Sequence, residues 1–102
     1  MTELLDRAEI DAALTALPGW SLEDGKLVKR AQVPADSQDA LIESVGRVAD
    51  GMDHHPVVSR ADDSVTFRLW THSAGGVTHK DVDLASRIDR TLSGTGTDTG
   101  SG

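Results

Sequence analysis

The sequence predicts an α+β fold, a four-stranded antiparallel sheet with three helices on one face, in the order αββαββα. Three observations carry that expectation. Apolar residues recur at helical spacing in three separated stretches. Between them lie two pairs of short apolar runs, each pair joined by a turn of a few residues, which only antiparallel neighbours permit. Helices with a single apolar stripe must bury it against such a sheet.

The first helix has Ile10, Leu14 and Leu17 on one face beside Ala13. Asp6 with Glu9 makes a capping box, aspartate standing in for serine or threonine. Pro18-Gly19 stops it. Trp20 and Leu22, then Leu27, Ala31 and Val33, alternate on either side of Asp24-Gly25. Asp-Gly suits a two-residue hairpin because both turn positions take positive φ. After Pro34 the period switches back: Leu41, Val45, Val48 and Met52 form a stripe flanked by Ile42 and Ala49, with Asp36 or Ser37 placed to cap it.

Pro56 disfavours helix at His55, so His54 and His55 stand at a helix-to-strand junction. Val57-Val58 opens the second hairpin, which turns at 61–64 and returns through Val65, Phe67, Leu69 and Thr71 on one face. Thr66, Arg68, Trp70 and, at the strand's end, His72 take the other face. Gly75-Gly76 leads to a last helix opened by a capping-box-like pair, Thr78 and Asp81, with Val77 against Val82 as a hydrophobic staple. Ala85, Ile88 and Leu92 continue its stripe. Residues 93–102 contain only Ser, Gly, Thr and Asp and are expected to be a disordered tail, leaving 1–92 as one domain.

Composition excludes several functions. The net charge is −7 and the basic residues are scattered, only Lys29-Arg30 being adjacent, which argues against nucleic acid as a partner. No apolar run approaches the roughly 18–20 residues of a membrane span, and no signal-peptide pattern opens the chain. With no cysteine there are neither disulfides nor thiolate ligands, and the cytoplasm is the default compartment. Trp20, Phe67 and Trp70 are the only aromatic residues, so a planar ligand would be held mainly by hydrogen bonds and aliphatic walls.

The chemistry-bearing residues gather at element ends. His54 and His55 close the second helix and His72 ends the fourth strand, where side chains can converge on a cleft. Neutral and protonated imidazole coexist near neutral pH, so neighbouring histidines can supply both a base and an acid. In isolation, a His-His pair is more often an exposed polar turn. Asp81 has an equally good reading as a helix cap, Asp50 as a surface charge, and the two tryptophans as packing or interface residues. Metal binding is disfavoured, because adjacent histidines diverge and the nearby carboxylates have no ligand spacing.

Taken together, Asp50-x-x-x-His54-His55-Pro56, Leu69-x-Thr71-His72 and Gly76-Val77-Thr78-x-x-Asp81-x-x-Leu84-Ala85 resemble the pterin-4a-carbinolamine dehydratase family, over about residues 6–92. Gly19-Trp20 and the helix–hairpin order agree. The resemblance implies dehydration of 4a-hydroxytetrahydropterin to the quinonoid dihydropterin, with no metal, nucleophile or redox cofactor. It implies His54 and His72 as the acid–base pair and His55 as the group that mainly orients the pterin. Asp50, Asp53 and Asp81 would be supporting residues. It further implies a homodimer or homotetramer, with an exposed Trp70 and the apolar strand beside it as contact surface. Two departures stand out. Val57-Val58-Ser59-Arg60 follows His-His-Pro where the family usually has an acidic residue and aromatics, and Ala31 and Val33 replace the phenylalanines of the second strand. A binding or assembly module built on the same fold, and an acid–base catalyst for another heterocycle, are the competing readings.

Overall fold

The computed structural model describes residues 3–94. Along the chain run α1 (Arg7–Leu14), β1 (Trp20–Glu23), β2 (Lys26–Gln32), α2 (Ala35–Met52), β3 (Val57–Arg60), β4 (Ser64–Leu69) and α3 (His79–Gly94). This is the expected αββαββα order. All neighbouring strands are antiparallel, and the sheet order is β1-β2-β4-β3. The two hairpins are therefore joined through their inner strands, with Leu27 opposite Leu69, Lys29 opposite Phe67 and Ala31 opposite Val65.

Alternation then decides which side is covered. Leu27, Ala31, Val65, Phe67 and Leu69 point to one face and join Ile10 of α1, Leu41 and Val45 of α2, and Leu84, Ala85 and Ile88 of α3 in one core. Trp20 belongs to that core and donates its indole N–H to Asp89 at 2.9 Å. The same carboxylate oxygen accepts from Lys29 Nζ, also at 2.9 Å. No helix of the described residues is long and apolar enough to cross a membrane.

The local signals are mostly realised. Asp6 and Glu9 form the full capping box, each bond 2.8 Å. Asp24 and Gly25 both take positive φ, 57° and 75°, as the hairpin requires.

α1 ends at Leu14, short of Leu17 and of the Pro18-Gly19 stop, and three further details differ from the sequence expectation. Neither Asp36 nor Ser37 caps α2: the helix begins at Ala35 with Pro34 as N-cap and no side-chain cap bond. Asp36 instead lies in the first turn, where its charge meets the positive helix end. The start is pinned by buried Gln38, whose amide donates to the carbonyls of Val33 (3.0 Å), Ala61 (2.8 Å) and Ser64 (3.3 Å). Secondly, the β4 ladder stops at Leu69. Beyond it Thr71 makes an isolated bridge to Gly76, its N–H donating to the Gly76 carbonyl at 2.8 Å. Thirdly, Ser93 and Gly94 continue α3, since its hydrogen-bond ladder outlasts its apolar stripe. Residues 95–102, the rest of the expected tail, lie outside the described residues.

Candidate active site

The site begins with the way α2 ends. The N–H of His54 donates to the Ala49 carbonyl at 3.1 Å and the N–H of Asp53 to the Asp50 carbonyl at 3.1 Å. This is a Schellman closure, and it needs a left-handed residue between helix and exit. Asp53 fills that position at φ 53°, ψ 42°, where glycine would be the usual choice. The reversal carries the His54 ring back toward the start of α3.

There the ring meets Asp81. His54 Nε2 lies 2.6 Å from Asp81 Oδ1, with the histidine side chain 12% exposed and the aspartate fully buried. The other carboxylate oxygen is also engaged. Asp81 Oδ2 accepts from the Thr78 backbone N–H at 2.9 Å and from the Thr71 hydroxyl at 2.9 Å. Because the single Thr71 hydrogen is spent on Asp81, the 2.7 Å contact between Thr71 and Thr78 hydroxyls has Thr78 as donor. The Thr78 oxygen in turn accepts from Lys80 N–H at 3.2 Å. A buried carboxylate without partners would be costly, and here three donors offset its desolvation.

That arrangement constrains the imidazole. A carboxylate only accepts, so the proton between the two groups sits on Nε2 of His54, and in the neutral ring Nδ1 keeps the lone pair. Nδ1 has no hydrogen-bond partner among the described residues. The cap and the site are thus one structure: Asp81 closes the first turn of α3 and orients His54 at once.

The other sequence-selected residues are placed differently. His55 Nε2 pairs with Asp50 Oδ1 at 2.7 Å, but both are exposed, the side chains at 56% and 75%. Asp53 is exposed and its carboxylate makes no hydrogen bond among the described residues; its visible contribution is its backbone. His72 is exposed, and no hydrogen bond among the described residues joins it to His54 or His55. Its connection to the cluster is covalent, through Thr71. Its ring stacks on Trp70, centroids 4.5 Å apart with the planes at 27°. Trp70 is half-buried and packed against His72, in line with its reading as a packing residue, where the resemblance implied an exposed contact surface.

Sequence reasoning gave Thr71 no role of its own. The signal was present: Thr71 is the polar member of the inward alternation Val65, Phe67, Leu69, Thr71, and a hydroxyl there needs a buried partner. Among the described residues no cluster of three or more His, Cys, Asp or Glu side chains is arranged to hold a metal ion. A cleft of about 630 Å³ opens elsewhere, lined by Ala31, Val33, Pro34, Leu41 and Leu92 among others. Its walls carry Lys29 and Arg30 but no imidazole or carboxylate, so the acid–base groups define the candidate site and the cleft does not.

A family model described as pterin 4 alpha carbinolamine dehydratase matches residues 3–91, nearly the whole chain. The chain belongs to this family. A Mycolicibacterium smegmatis protein provisionally named pterin-4-alpha-carbinolamine dehydratase is 42% identical over 92 residues, covering 88% of this chain and 97% of that protein. A Roseiflexus castenholzii protein with the same provisional name is 39% identical over 93 residues, covering 90% and 100%. The crystal structure of a transcriptional coactivator/pterin dehydratase from Brucella melitensis superposes with a TM-score of 0.82 at 27% identity, covering 86% of this chain and 97% of that one. A pterin dehydratase-like protein identified as a RuBisCO assembly factor of the alpha-carboxysome shares the fold at a TM-score of 0.57 and 16% identity, covering 78% and 89%. Membership of the pterin-4-alpha-carbinolamine dehydratase family thus agrees with the resemblance seen in the histidine motifs.

Proposed function

We propose that the protein dehydrates 4a-hydroxytetrahydropterin to the quinonoid dihydropterin by histidine acid–base catalysis. The reaction makes two demands. The hydroxyl on C4a must leave with a proton, as water, and the proton on N5 must be accepted. Neither requires a redox change.

The observation that carries this reading is the His54–Asp81 pair, 2.6 Å apart and shielded from solvent. With Nε2 committed to Asp81, the Nδ1 lone pair is the group free to accept a proton, so His54 is read as the base. His72, next to Thr71 of the same network, is read as the acid that protonates the leaving oxygen. His55, exposed and steadied by Asp50, is read as a substrate-orienting residue. Asp53 supports the site through the helix ending it makes possible. The reading takes a homodimer or homotetramer as the working unit and the cytoplasm as its compartment.

The test is kinetic. A tetrahydropterin-dependent aromatic amino acid hydroxylase generates the 4a-carbinolamine, and its absorbance decays as water is lost. Added protein is expected to accelerate that decay; no acceleration by folded protein counts against the reading.

A second reading, a dehydratase-like module acting through protein partners, is favoured by the similarity to the Brucella melitensis protein, which is described as a transcriptional coactivator as well as a dehydratase. Pterin titration followed by tryptophan fluorescence separates the two, because Trp70 touches His72 and reports on that neighbourhood. A silent titration together with stable capture of a protein partner would favour the module.

A further inference from the structure

Of the three histidines of the candidate site, two have a carboxylate that fixes the ring, His54 through Asp81 and His55 through Asp50. His72 has none. Its ring makes no hydrogen bond among the described residues, and the residue is exposed. An exposed imidazole with no partner would sample several rotamers, and a proton donor must be held near its acceptor to be useful.

The structure supplies an aromatic partner instead. Thr71 turns its side chain inward to Asp81, so alternation sends Trp70 and His72 to the opposite side of the chain, where their rings stack at 4.5 Å. The loop behind them is tight. Ala74 and Gly75 N–H groups return to the Thr71 carbonyl at 3.1 and 2.9 Å, and Gly75 takes φ 80°, which favours glycine. The indole is itself held, with Lys26 Nζ 5.0 Å from its centroid. An aromatic stack biases ring populations by roughly two- to tenfold, and the ammonium adds a cation–π contact that restrains the indole.

We propose that Trp70, steadied by Lys26, is a positioning residue for His72, doing for that ring what Asp81 does for His54. The inference rests on the reading of His72 as half of the acid–base pair. It also gives Trp70 a role in place of a subunit contact or an open platform for substrate.

Ring-current shifts read the geometry directly. Proton–carbon NMR of histidine-labelled protein, with His72 assigned by comparison with His72→Gln, is expected to show its ring protons displaced upfield by the indole. Trp70→Leu returns them to ordinary positions and lowers kcat about tenfold with KM nearly unchanged, as small misplacements of catalytic groups do. Trp70→Phe keeps a stacking ring and restores most of both readouts, and Lys26→Met weakens the upfield shift partially. Unshifted His72 ring signals in the wild-type protein overturn the proposal outright, whether or not a Trp70 variant folds. Signals that stay put in Trp70→Leu while the rate falls overturn it as well. If the wild-type protein dehydrates no pterin, the proposed function fails and the catalytic role of the stack with it, while the NMR measurement still decides whether Trp70 holds the His72 ring.

Discussion

Asp81 accepts one hydrogen bond that caps α3 and another, 2.6 Å long, from the His54 ring 27 residues earlier in the chain. A fold-forming contact and the contact that holds the proposed base share one carboxylate, so substitutions can separate them. Asn in place of Asp81 can still accept from Thr78 and Thr71, but its NH2 would face Nε2 and force the opposite tautomer on the ring. Asp81→Asn is expected to stay folded and lose on the order of 10²–10⁴-fold in kcat, the usual worth of a placed base. Asp81→Ala, which also abandons three donors, is expected to cost about 2–4 kcal/mol by denaturant unfolding. A folded Asn variant with undiminished kcat contradicts the assignment.

Asp53 tests whether a carboxylate or a backbone conformation is what that position contributes. Asp53→Gly is expected to leave the dehydration rate unchanged and to alter stability by no more than about 1 kcal/mol, because glycine enters the left-handed region freely. Asp53→Val, β-branched at positive φ, is expected to lose about 1–2 kcal/mol and to perturb the rate through His54. A rate loss in the glycine variant would mean that the carboxylate itself takes part.

The exposed His55–Asp50 pair should matter little to folding. Asp50→Asn is expected to change unfolding free energy by less than about 1 kcal/mol, with the difference shrinking as salt is added. If His55 orients substrate, His55→Gln raises KM more than it lowers kcat. A large kcat loss at unchanged KM would place His55 among the reacting groups.

Gln38 provides a control remote from the histidines in its bonding. Its amide satisfies three backbone carbonyls and accepts from Arg60 Nε at 3.1 Å, touching none of His54, His55 or His72. Gln38→Leu removes the donor to the Val33 and Ala61 carbonyls, while that of Ser64 keeps the Ala61 N–H at 2.9 Å, and is expected to destabilise by about 1–3 kcal/mol, with kcat per folded molecule unchanged. Thermal melts alongside rate measurements check both halves.

Elements with strong local signals are legible in the sequence. Periodicity places the three helices, Asp24-Gly25 places a hairpin, and alternation names the buried face of β4. The strand order is not legible, because it depends on how α2 carries the chain across the sheet rather than on any local pattern. The α2 start departs from expectation for a similar reason: Gln38 anchors the helix through carbonyls from two other segments, one 26 residues away. The candidate site is legible as a set of residues and illegible as a geometry. The family resemblance selects His54, Asp81 and His72, but spacing does not show that Asp81 serves cap and histidine together. Nor can it show that Trp70 covers His72, since cross-strand neighbours such as Lys26 and Trp70 become adjacent only once the register is set.

The central claim is that His54 and His72 move the protons of the dehydration. Its most direct measurement is the decay of 4a-hydroxytetrahydropterin absorbance with equal amounts of wild-type protein, His54→Ala, His72→Ala and the double variant, each shown to be folded by circular dichroism. The expected result is acceleration by the wild type, substantial loss in each single variant and return to the uncatalysed rate in the double. A double variant that accelerates the decay as well as the wild type would contradict it.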